Sequence, residues 1–447
     1  MTTPDRTPVK VGLTTATALV VASMIGTGIF TSLGFQIQYL DAPFALLALW
    51  AVGGGLALCG ALVYGELGAA LPRSGGEYHL ISELYHPLLG VIVGWITTTL
   101  GFAGPIALSA IAFGDYTTAV FPSLSSSHLA AGLVLLCSAV HATSIRWGSR
   151  FQNVFTGLKV LLILVFIGAA FQVEPAHTIS IVPTAEGLHD LLSPGFAVSL
   201  VFVSYAYAGW NAAIYIVGEI RDPQRTMPRA LLLGTGLVTV LYLLLNFVFL
   251  YTVPMAEMAG KVEIGYLSGR VIFGEMGGQL MSLFIALLQV SSVSAMVYLG
   301  PRVTQAMGED LPELRWLATT SARGTPVVSI LFQAALALGF LYTSTFEQVL
   351  IYTGFTLTLS MILTVAGVFV LRWRRPDVDQ PYATWGYPVT PLLFLAANGW
   401  ILVYVFIDKP TESLIGLAII GVGAGLYLAG RAVLPSATPT DPERASS

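Results

Sequence analysis

Met24-Ile25-Gly26-Thr27-Gly28-Ile29-Phe30 forms the centre of the first long apolar run of this chain. A glycine in a helix interior costs roughly 1 kcal/mol relative to alanine. Irregular backbone at membrane depth is tolerated only where protein buries it or where it lines a cavity. The glycine pair therefore predicts an interrupted helix that holds a ligand, or else a small-residue surface on which another helix packs closely.

A second sequence of the same kind, Tyr207-Ala208-Gly209-Trp210-Asn211, follows roughly 180 residues later. Two interrupted membrane helices at corresponding positions of two halves are the best indication of a transporter binding site in a sequence. The half-helix that begins after Gly26–Gly28 would direct backbone N–H groups at an anion such as a carboxylate. The carbonyl groups that are exposed where the second helix opens suit an ammonium group.

The composition indicates a membrane protein. Of the 447 residues, 55% are hydrophobic and only 10% are charged, whereas a soluble domain carries about 25% charged residues. Apolar runs long enough to cross ~30 Å of hydrocarbon recur along the chain. We expect one membrane domain over residues 1–434 and a disordered tail over 435–447, which is rich in Pro, Ser and Thr. The twelve predicted spans lie near residues 11–39, 43–70, 87–115, 128–145, 151–171, 195–219, 229–253, 270–299, 326–343, 346–372, 388–407 and 412–434.

The cations predict the orientation of these spans. If the count of twelve is correct, most Lys and Arg residues fall on one side, and the positive-inside rule then places both termini in the cytoplasm of a plasma-membrane protein. The cations on that side are Arg6, Lys10, Arg73, Arg146, Arg150, Arg221, Arg225, Arg229, Arg302, Arg315, Arg323, Arg372, Arg374, Arg375, Arg431 and Arg444. Only Lys261, Arg270 and Lys409 fall on the other side, and Lys159 lies within span 5.

Six segments resemble, in order, the L-type amino acid transporters of the amino acid–polyamine–organocation superfamily. The most specific is the span 6 sequence from Ser204 to Asn211, followed by Gly218-Glu-Ile-Arg-Asp-Pro-Gln-Arg-Thr-Met-Pro-Arg229. The other five are Met24–Phe30, Tyr64–Leu67 with Leu71–Tyr78, Gln152–Lys159, Gly300–Met307 and Leu371–Pro391. The resemblance implies the all-α leucine-transporter fold, with unwound helices 1 and 6. Residues 11–171 and 195–372 would form a 5+5 inverted repeat, and residues 388–434 two further helices.

The resemblance also implies roles for individual residues. The segment Ile25–Gly28, with Gly26, Thr27 and Gly28 in particular, would bind the substrate carboxylate. The backbone of span 6 at Tyr205 and Ala206 would face the substrate ammonium, with Tyr205 as an aromatic gate. Two further substrate-binding positions of this segment are Ala208 and Gly209. Accessory or gating positions are Tyr242, Asn246 and Glu219. Glu219 follows span 6, where its side chain either pairs with a nearby arginine in a cytoplasmic gate or is part of the scaffold.

Lys159 is the most informative charge, because a Lys at the bilayer centre costs roughly 2.5–3.5 kcal/mol on insertion scales. Either its side chain extends to the cytoplasmic interface or it has a buried function. The resemblance places it where sodium-coupled relatives bind sodium, holding the opened backbone of helix 1 against helix 8 near Ser291, Ser292 or Ser294. This would make transport independent of sodium, while a buried Lys that sheds its proton leaves proton coupling open.

The leading hypothesis is exchange of neutral, small amino acids such as alanine or serine, and the alternative is a proton-coupled symporter of amino acids or amines. An intramembrane enzyme would need converging His, Asp or Glu side chains at depth, whereas the spans supply mainly Lys159 and Glu66. Neither a channel nor a receptor needs two broken helices in an inverted repeat. No metal-ligand spacing, phosphate loop or nucleophile motif is present, so we expect no metal and no cofactor. The loop 117–127 has no Cys, unlike the loop that links eukaryotic relatives to a glycoprotein, so we expect a chain that works alone as a monomer. Its expected partners are the substrate and lipid, without nucleic acid.

Overall fold

The computed structural model describes residues 11–73, 75–143, 148–174, 182–183, 185–321, 325–378 and 380–433, without the side chains of 148–156, 185–186, 313 and 430–433. The predicted tail and the cations Arg6, Lys10, Arg146, Arg323 and Arg444 lie outside these residues, as do the side chains of Arg150 and Arg431. The described α-helices are α1 (Leu13–Met24), α2 (Gly28–Gln36), α3 (Pro43–Ala70), α4 (Gly76–Leu84), α5 (Pro87–Ile96), α6 (Gly104–Thr118), α7 (Ser126–Thr143), α8 (Gly148–Ala170), α9 (Ala185–Asp190), α10 (Pro194–Tyr207), α11 (Pro223–Thr252), α12 (Met255–Met258), α13 (Ile264–Asp310), α14 (Val327–Thr343), α15 (Phe346–Arg374), α16 (Val389–Asp408) and α17 (Pro410–Val433).

Ten helical segments among the described residues are long and apolar enough to cross a membrane. Two shorter apolar helices, Gly157–Ala170 and Val327–Thr343, occupy the places of predicted spans 5 and 9. A π-helical segment, Thr97–Ala103, joins α5 to α6 within the third span. The predicted all-α, multi-pass membrane architecture is confirmed.

Helix α13 differs from its prediction, which ended span 8 at residue 299, before Gly300-Pro301. The helix continues to Asp310 because Gly300, Pro301 and Met307 are buried against neighbouring elements, and this packing outweighs the hydrogen bond that the proline lacks. Near its other end, a non-helical Gly274 (φ 75°) separates the first part of α13, which begins at Ile264, from the longer part that follows.

Helix α4 is absent from the predicted spans, because it is too short to cross a membrane. It begins at the second of two consecutive glycines with positive φ, Gly75 and Gly76. Its buried apolar side chains, Leu80, Ile81 and Leu84, follow a helical spacing that packs α4 against α5 and α15. The short helix therefore connects the loop between spans 2 and 3 to the helical core.

A cluster of Glu66, Arg372, Thr384 and Tyr387, here called the clasp, joins three distant segments at the end of α3. The carboxylate of Glu66, which is fully buried, accepts hydrogen bonds from Arg372 Nε and Nη2, both at 2.8 Å, and from the backbone N–H of Thr384 at 2.6 Å. The Arg372 guanidinium also stacks on the Tyr387 ring, 3.7 Å from its centroid. The clasp thus fixes α15 and the loop before α16 onto α3, and Glu66 has a structural role.

Glu66→Ala should lower the thermal unfolding temperature of the detergent-purified protein markedly, because it leaves the guanidinium and an amide without their buried acceptor, a loss of roughly 3–5 kcal/mol. The matched control is Glu83→Ala, which removes a 3.2 Å ion pair with Arg375 whose side chains are both 40% exposed. An exposed pair contributes about 0–1 kcal/mol. Equal small shifts for both variants would contradict the structural role of the clasp.

Candidate functional site

The first span is interrupted at the glycine pair. Regular α-helix ends at Met24 and resumes at Gly28, and Ile25 between them has a non-helical ψ of 89°. Ile25 and Thr27 are both buried. The first turn of α2 therefore begins inside the protein, where helix N-terminal amides favour an anion.

The sixth span is interrupted in the same way. Helix α10 ends at Tyr207, Ala208 is extended (ψ 141°), and Gly209 adopts φ 103°, which only glycine tolerates readily. A 3₁₀ helix, Ala212–Glu219, continues the chain. The carbonyl groups at the end of α10 therefore lie within the protein interior.

The two interruptions pack directly on each other through glycine. A Cβ atom on Gly28 would lie 2.6 Å from the Cα of Ala206, and a Cβ on Gly209 would lie 2.6 Å from the carbonyl oxygen of Ser23. Each interrupted span thus has one glycine that packs closely against the backbone of the other span. By contrast, a Cβ on Gly26 would meet nothing closer than 3.9 Å.

Tyr242 of α11 joins both interruptions. Its hydroxyl lies 2.6 Å from the Met24 carbonyl oxygen and 3.1 Å from the Ala206 carbonyl oxygen. One turn further along α11, Asn246 Nδ2 donates to the Tyr242 carbonyl at 2.8 Å, and its Oδ1 is buried without a partner among the described residues. Tyr242 therefore supplies a polar partner for backbone that two opened helices leave unpaired.

Lys159 joins the first interruption to α13. Its ammonium donates to the Ile25 carbonyl at 3.0 Å and to Ser292 Oγ at 2.9 Å, and the residue is 2% exposed. Its side chain therefore does not extend to the surface. Of the other two serines considered, Ser291 is buried nearby, whereas Ser294 bonds instead to His141 Nε2 at 2.8 Å.

Sequence reasoning missed two polar residues of the site. The Thr27 hydroxyl lies 2.8 Å from Ser109 Oγ of α6 and 3.3 Å from Gln289 Oε1 of α13. Tyr205 is buried beside the same threonine. Ser109 and Gln289 are polar residues in otherwise apolar runs, and that contrast is the signal that would have identified them.

The other end of helix α1 is held by backbone. Val11 N–H donates to the Glu219 carbonyl and Arg221 N–H donates to the Val11 carbonyl, both at 2.8 Å. The Glu219 side chain is exposed, and no ion pair joins it to an arginine within the described ranges. Among the described residues, Glu219 therefore contacts the segment before α1 through its main-chain carbonyl, and a gating ion pair of its side chain stays a prediction.

No group of three or more His, Cys, Asp or Glu residues that could hold a metal ion occurs among the residues described. The site instead consists of backbone amides and carbonyls, hydroxyl groups and one ammonium. Such a set can bind a small charged or zwitterionic molecule through hydrogen bonds, without covalent or metal chemistry.

The chain is similar to known amino acid transporters over most of its length. The sequence profile of the amino acid permease family matches residues 11–424. The large neutral amino acids transporter small subunit 2 of Rattus norvegicus is 30% identical over 94% of this chain and 80% of its own length. The Asc-type amino acid transporter 1 of Mus musculus is 26% identical over 94% of this chain and 81% of its own. The b(0,+)-type amino acid transporter 1 of Homo sapiens is 29% identical over 90% and 83%, respectively.

Gly28→Ala should reduce uptake of labelled alanine strongly, because its methyl group forces apart the two interruptions, and a misplacement of about 1 Å can cost roughly 10²-fold in a preorganised site. Gly55→Ala in α3 is the matched control, since a Cβ there would meet nothing within 4 Å. Uptake by purified protein in liposomes is the measurement. Gly28→Ala with wild-type uptake, or Gly55→Ala with the larger loss, would contradict the packing described.

Proposed function

The chain belongs to the amino acid permease family, and we propose that it is a sodium-independent transporter that exchanges small neutral amino acids across the cell membrane. The observation that carries this proposal is the buried ammonium of Lys159 between Ile25 and Ser292. A fixed positive charge at this junction removes the need for a bound cation to hold the opened first helix to α13. Such a charge favours sodium independence.

The opened helices suit the two charged ends of an amino acid. The segment of Gly26, Thr27 and Gly28 at the N-terminus of α2 would receive the carboxylate, because helix N-termini bind anions through amides and the helix dipole. The α10 carbonyl groups near Tyr205 and Ala206 would receive the ammonium, and the Tyr205 ring would cover the substrate as a gate. Charge complementarity at both ends selects a zwitterion over a simple amine or acid.

The substrate side chain is proposed to be neutral. The central parts of the helices that line the site carry no Asp, Glu or Arg, and their one cation, Lys159, is already bonded. A charged side chain buried there would lack a counter-charge, which is costly.

Small substrates are favoured by Ala208, which stands where the family members for large substrates tend to have glycine. A methyl group in an apolar pocket discriminates by roughly 1–3 kcal/mol. The large neutral amino acids transporter named above differs from this proposal in the size of its substrate, so alanine against leucine is the decisive comparison.

The remaining elements of the proposal concern topology and partners. Both termini would face the cytoplasm of the plasma membrane, and two inverted repeats, 11–171 and 195–372, would rock around the site. The loop 117–127 contains no Cys, so no covalent partner subunit is proposed and the single chain would function as a monomer. Exchange follows as the mode because no bound ion returns an empty carrier.

The test is counterflow with the single purified chain in liposomes loaded with alanine. Labelled alanine should enter faster than leucine, and arginine and glutamate should not enter. Replacing sodium by choline should change nothing, and empty liposomes should take up little. Arginine or glutamate as the best substrate would overturn the neutral pocket. Full uptake into empty liposomes under a proton gradient would favour a proton-coupled symporter of amino acids or amines, and activity only with a second subunit would overturn the monomer.

Lys159→Ala should reduce uptake by at least about tenfold while the protein remains folded, because the Ile25 carbonyl and Ser292 lose a charged hydrogen-bond donor worth roughly 1.5–3 kcal/mol. Lys159→Arg should restore activity only in part, since a planar guanidinium does not replace a compact ammonium. The control is Lys261→Ala, at an exposed loop position. Wild-type uptake by Lys159→Ala, or stimulation of the wild type by sodium, would contradict the proposed role.

A further inference from the structure

A buried carboxylate outside the membrane spans contacts the second interruption. Glu77, at the start of α4, is 2% exposed. Its Oε1 accepts a hydrogen bond from the Tyr64 hydroxyl at 2.6 Å and another from Asn211 Nδ2 at 2.9 Å. One oxygen atom thereby joins α4, α3 and the segment that follows α10.

Asn211 is the last residue of the interrupted segment, immediately before the 3₁₀ helix. Its neighbour Trp210 packs edge-on against the Tyr64 ring, with centroids 4.6 Å apart. The backbone hydrogen bonds of residues 208–214 outside the regular helices are all short-range: Ala208 N–H to the Tyr205 carbonyl at 2.9 Å, Trp210 N–H to the Tyr207 carbonyl at 3.4 Å, and Ala212 N–H to the Gly209 carbonyl and Ile214 N–H to the Asn211 carbonyl, both at 3.0 Å. The local backbone alone does not fix an extended Ala208 and a left-handed Gly209, so the segment depends on side-chain contacts.

The Glu77 carboxylate is held by neutral donors. Within the described part of the chain, the ion pairs involve Arg73, Arg372, Arg375 and Lys409 and none includes Glu77. Burial raises the pKa of the Glu77 carboxyl, and the hydrogen bonds from Tyr64 and Asn211 oppose this rise. A carboxylate buried in the protein without a cation is costly. Its hydrogen bonds to Tyr64 and Asn211 therefore indicate a structural or functional role.

We propose that Glu77 is a positioning residue for the substrate site, acting through Asn211 to hold the interruption of the sixth span in its open form. With Asn211 anchored, Gly209 keeps its contact with Ser23 and the α10 carbonyl groups stay directed at the substrate ammonium. Without the anchor, residues 208–211 rearrange and the ammonium loses its acceptors. The inference rests on the proposed function for its link to substrate, although the anchoring itself does not.

The decisive experiment exchanges the two partners. Asn211→Asp sets a second carboxylate against Glu77 and should raise the KM for alanine by at least about tenfold, the cost of losing a hydrogen bond to a charged group. Glu77→Gln alone keeps an amide oxygen as a weaker, neutral acceptor for both donors and should raise the KM less than Asn211→Asp does. The double variant Glu77→Gln/Asn211→Asp restores a donor–acceptor pair and should recover the KM. A matched control is Glu83→Gln, on the same helix but exposed.

Failure of the double variant to improve on Asn211→Asp, with both proteins monodisperse, would overturn the proposal. So would a Glu77→Ala variant with unchanged KM. A purely structural role for Glu77 would lower the unfolding temperature and Vmax without the reciprocal rescue of KM.

A second measurement needs no substrate. Hydrogen–deuterium exchange of the Glu77→Ala protein should be faster than wild type in a peptide over residues 208–214 and unchanged in a peptide over 194–207. Equal exchange over 208–214 would overturn the anchoring even if transport is lost. If the wild type takes up no neutral amino acid, the proposed function fails, whereas this exchange measurement still decides the role of Glu77.

Discussion

The contact between two interrupted helices, backbone against backbone, is the constraint on which the rest of the structure depends. Gly28 lies against Ala206 and Gly209 lies against Ser23, each at a distance that leaves no room for a side chain. Opened backbone inside a membrane needs polar partners, because lipid offers none. The surrounding helices supply these partners, and this requirement explains where the few polar residues of the spans are placed.

Three side chains meet that requirement from three directions. Tyr242 reaches the carbonyl groups of both interruptions, Lys159 reaches the first from α8, and Glu77 reaches the second through Asn211. None of them needs to touch the substrate to matter, since they hold the main-chain groups that would. A site built from main-chain groups would recognise the carboxylate and ammonium groups that all amino acids share. The space left for the substrate side chain would then decide which amino acids bind.

The sequence predicted the features that carry a visible cost. Two glycines and a lysine inside apolar runs are energetically costly in a membrane helix. Gly28 and Lys159 therefore stand out in the sequence as candidate site residues without a structure. The sequence offers three serines as partners of Lys159. A choice between Ser292 and Ser294 depends on which face of α13 points towards Lys159, and the sequence does not show this. Glu77 was hidden for another reason. It lies in the polar stretch of sequence between predicted spans 2 and 3, where a glutamate is ordinary, and its partner Asn211 is 134 residues away. The predicted end of span 8 was wrong because the sequence shows the helix-breaking pair Gly300-Pro301 but not the packing that stabilises the helix beyond it.

The central claim is that the two opened helices together bind both charged ends of an amino acid. Competition for labelled alanine binding to the purified protein tests it most directly, with alanine, ethylamine and propionate as competitors. Ethylamine lacks the carboxylate and propionate lacks the ammonium, so each loses one set of charged hydrogen bonds and should compete at least about tenfold more weakly than alanine. Ethylamine or propionate competing as well as alanine would contradict the claim, because one interruption alone would then suffice for binding.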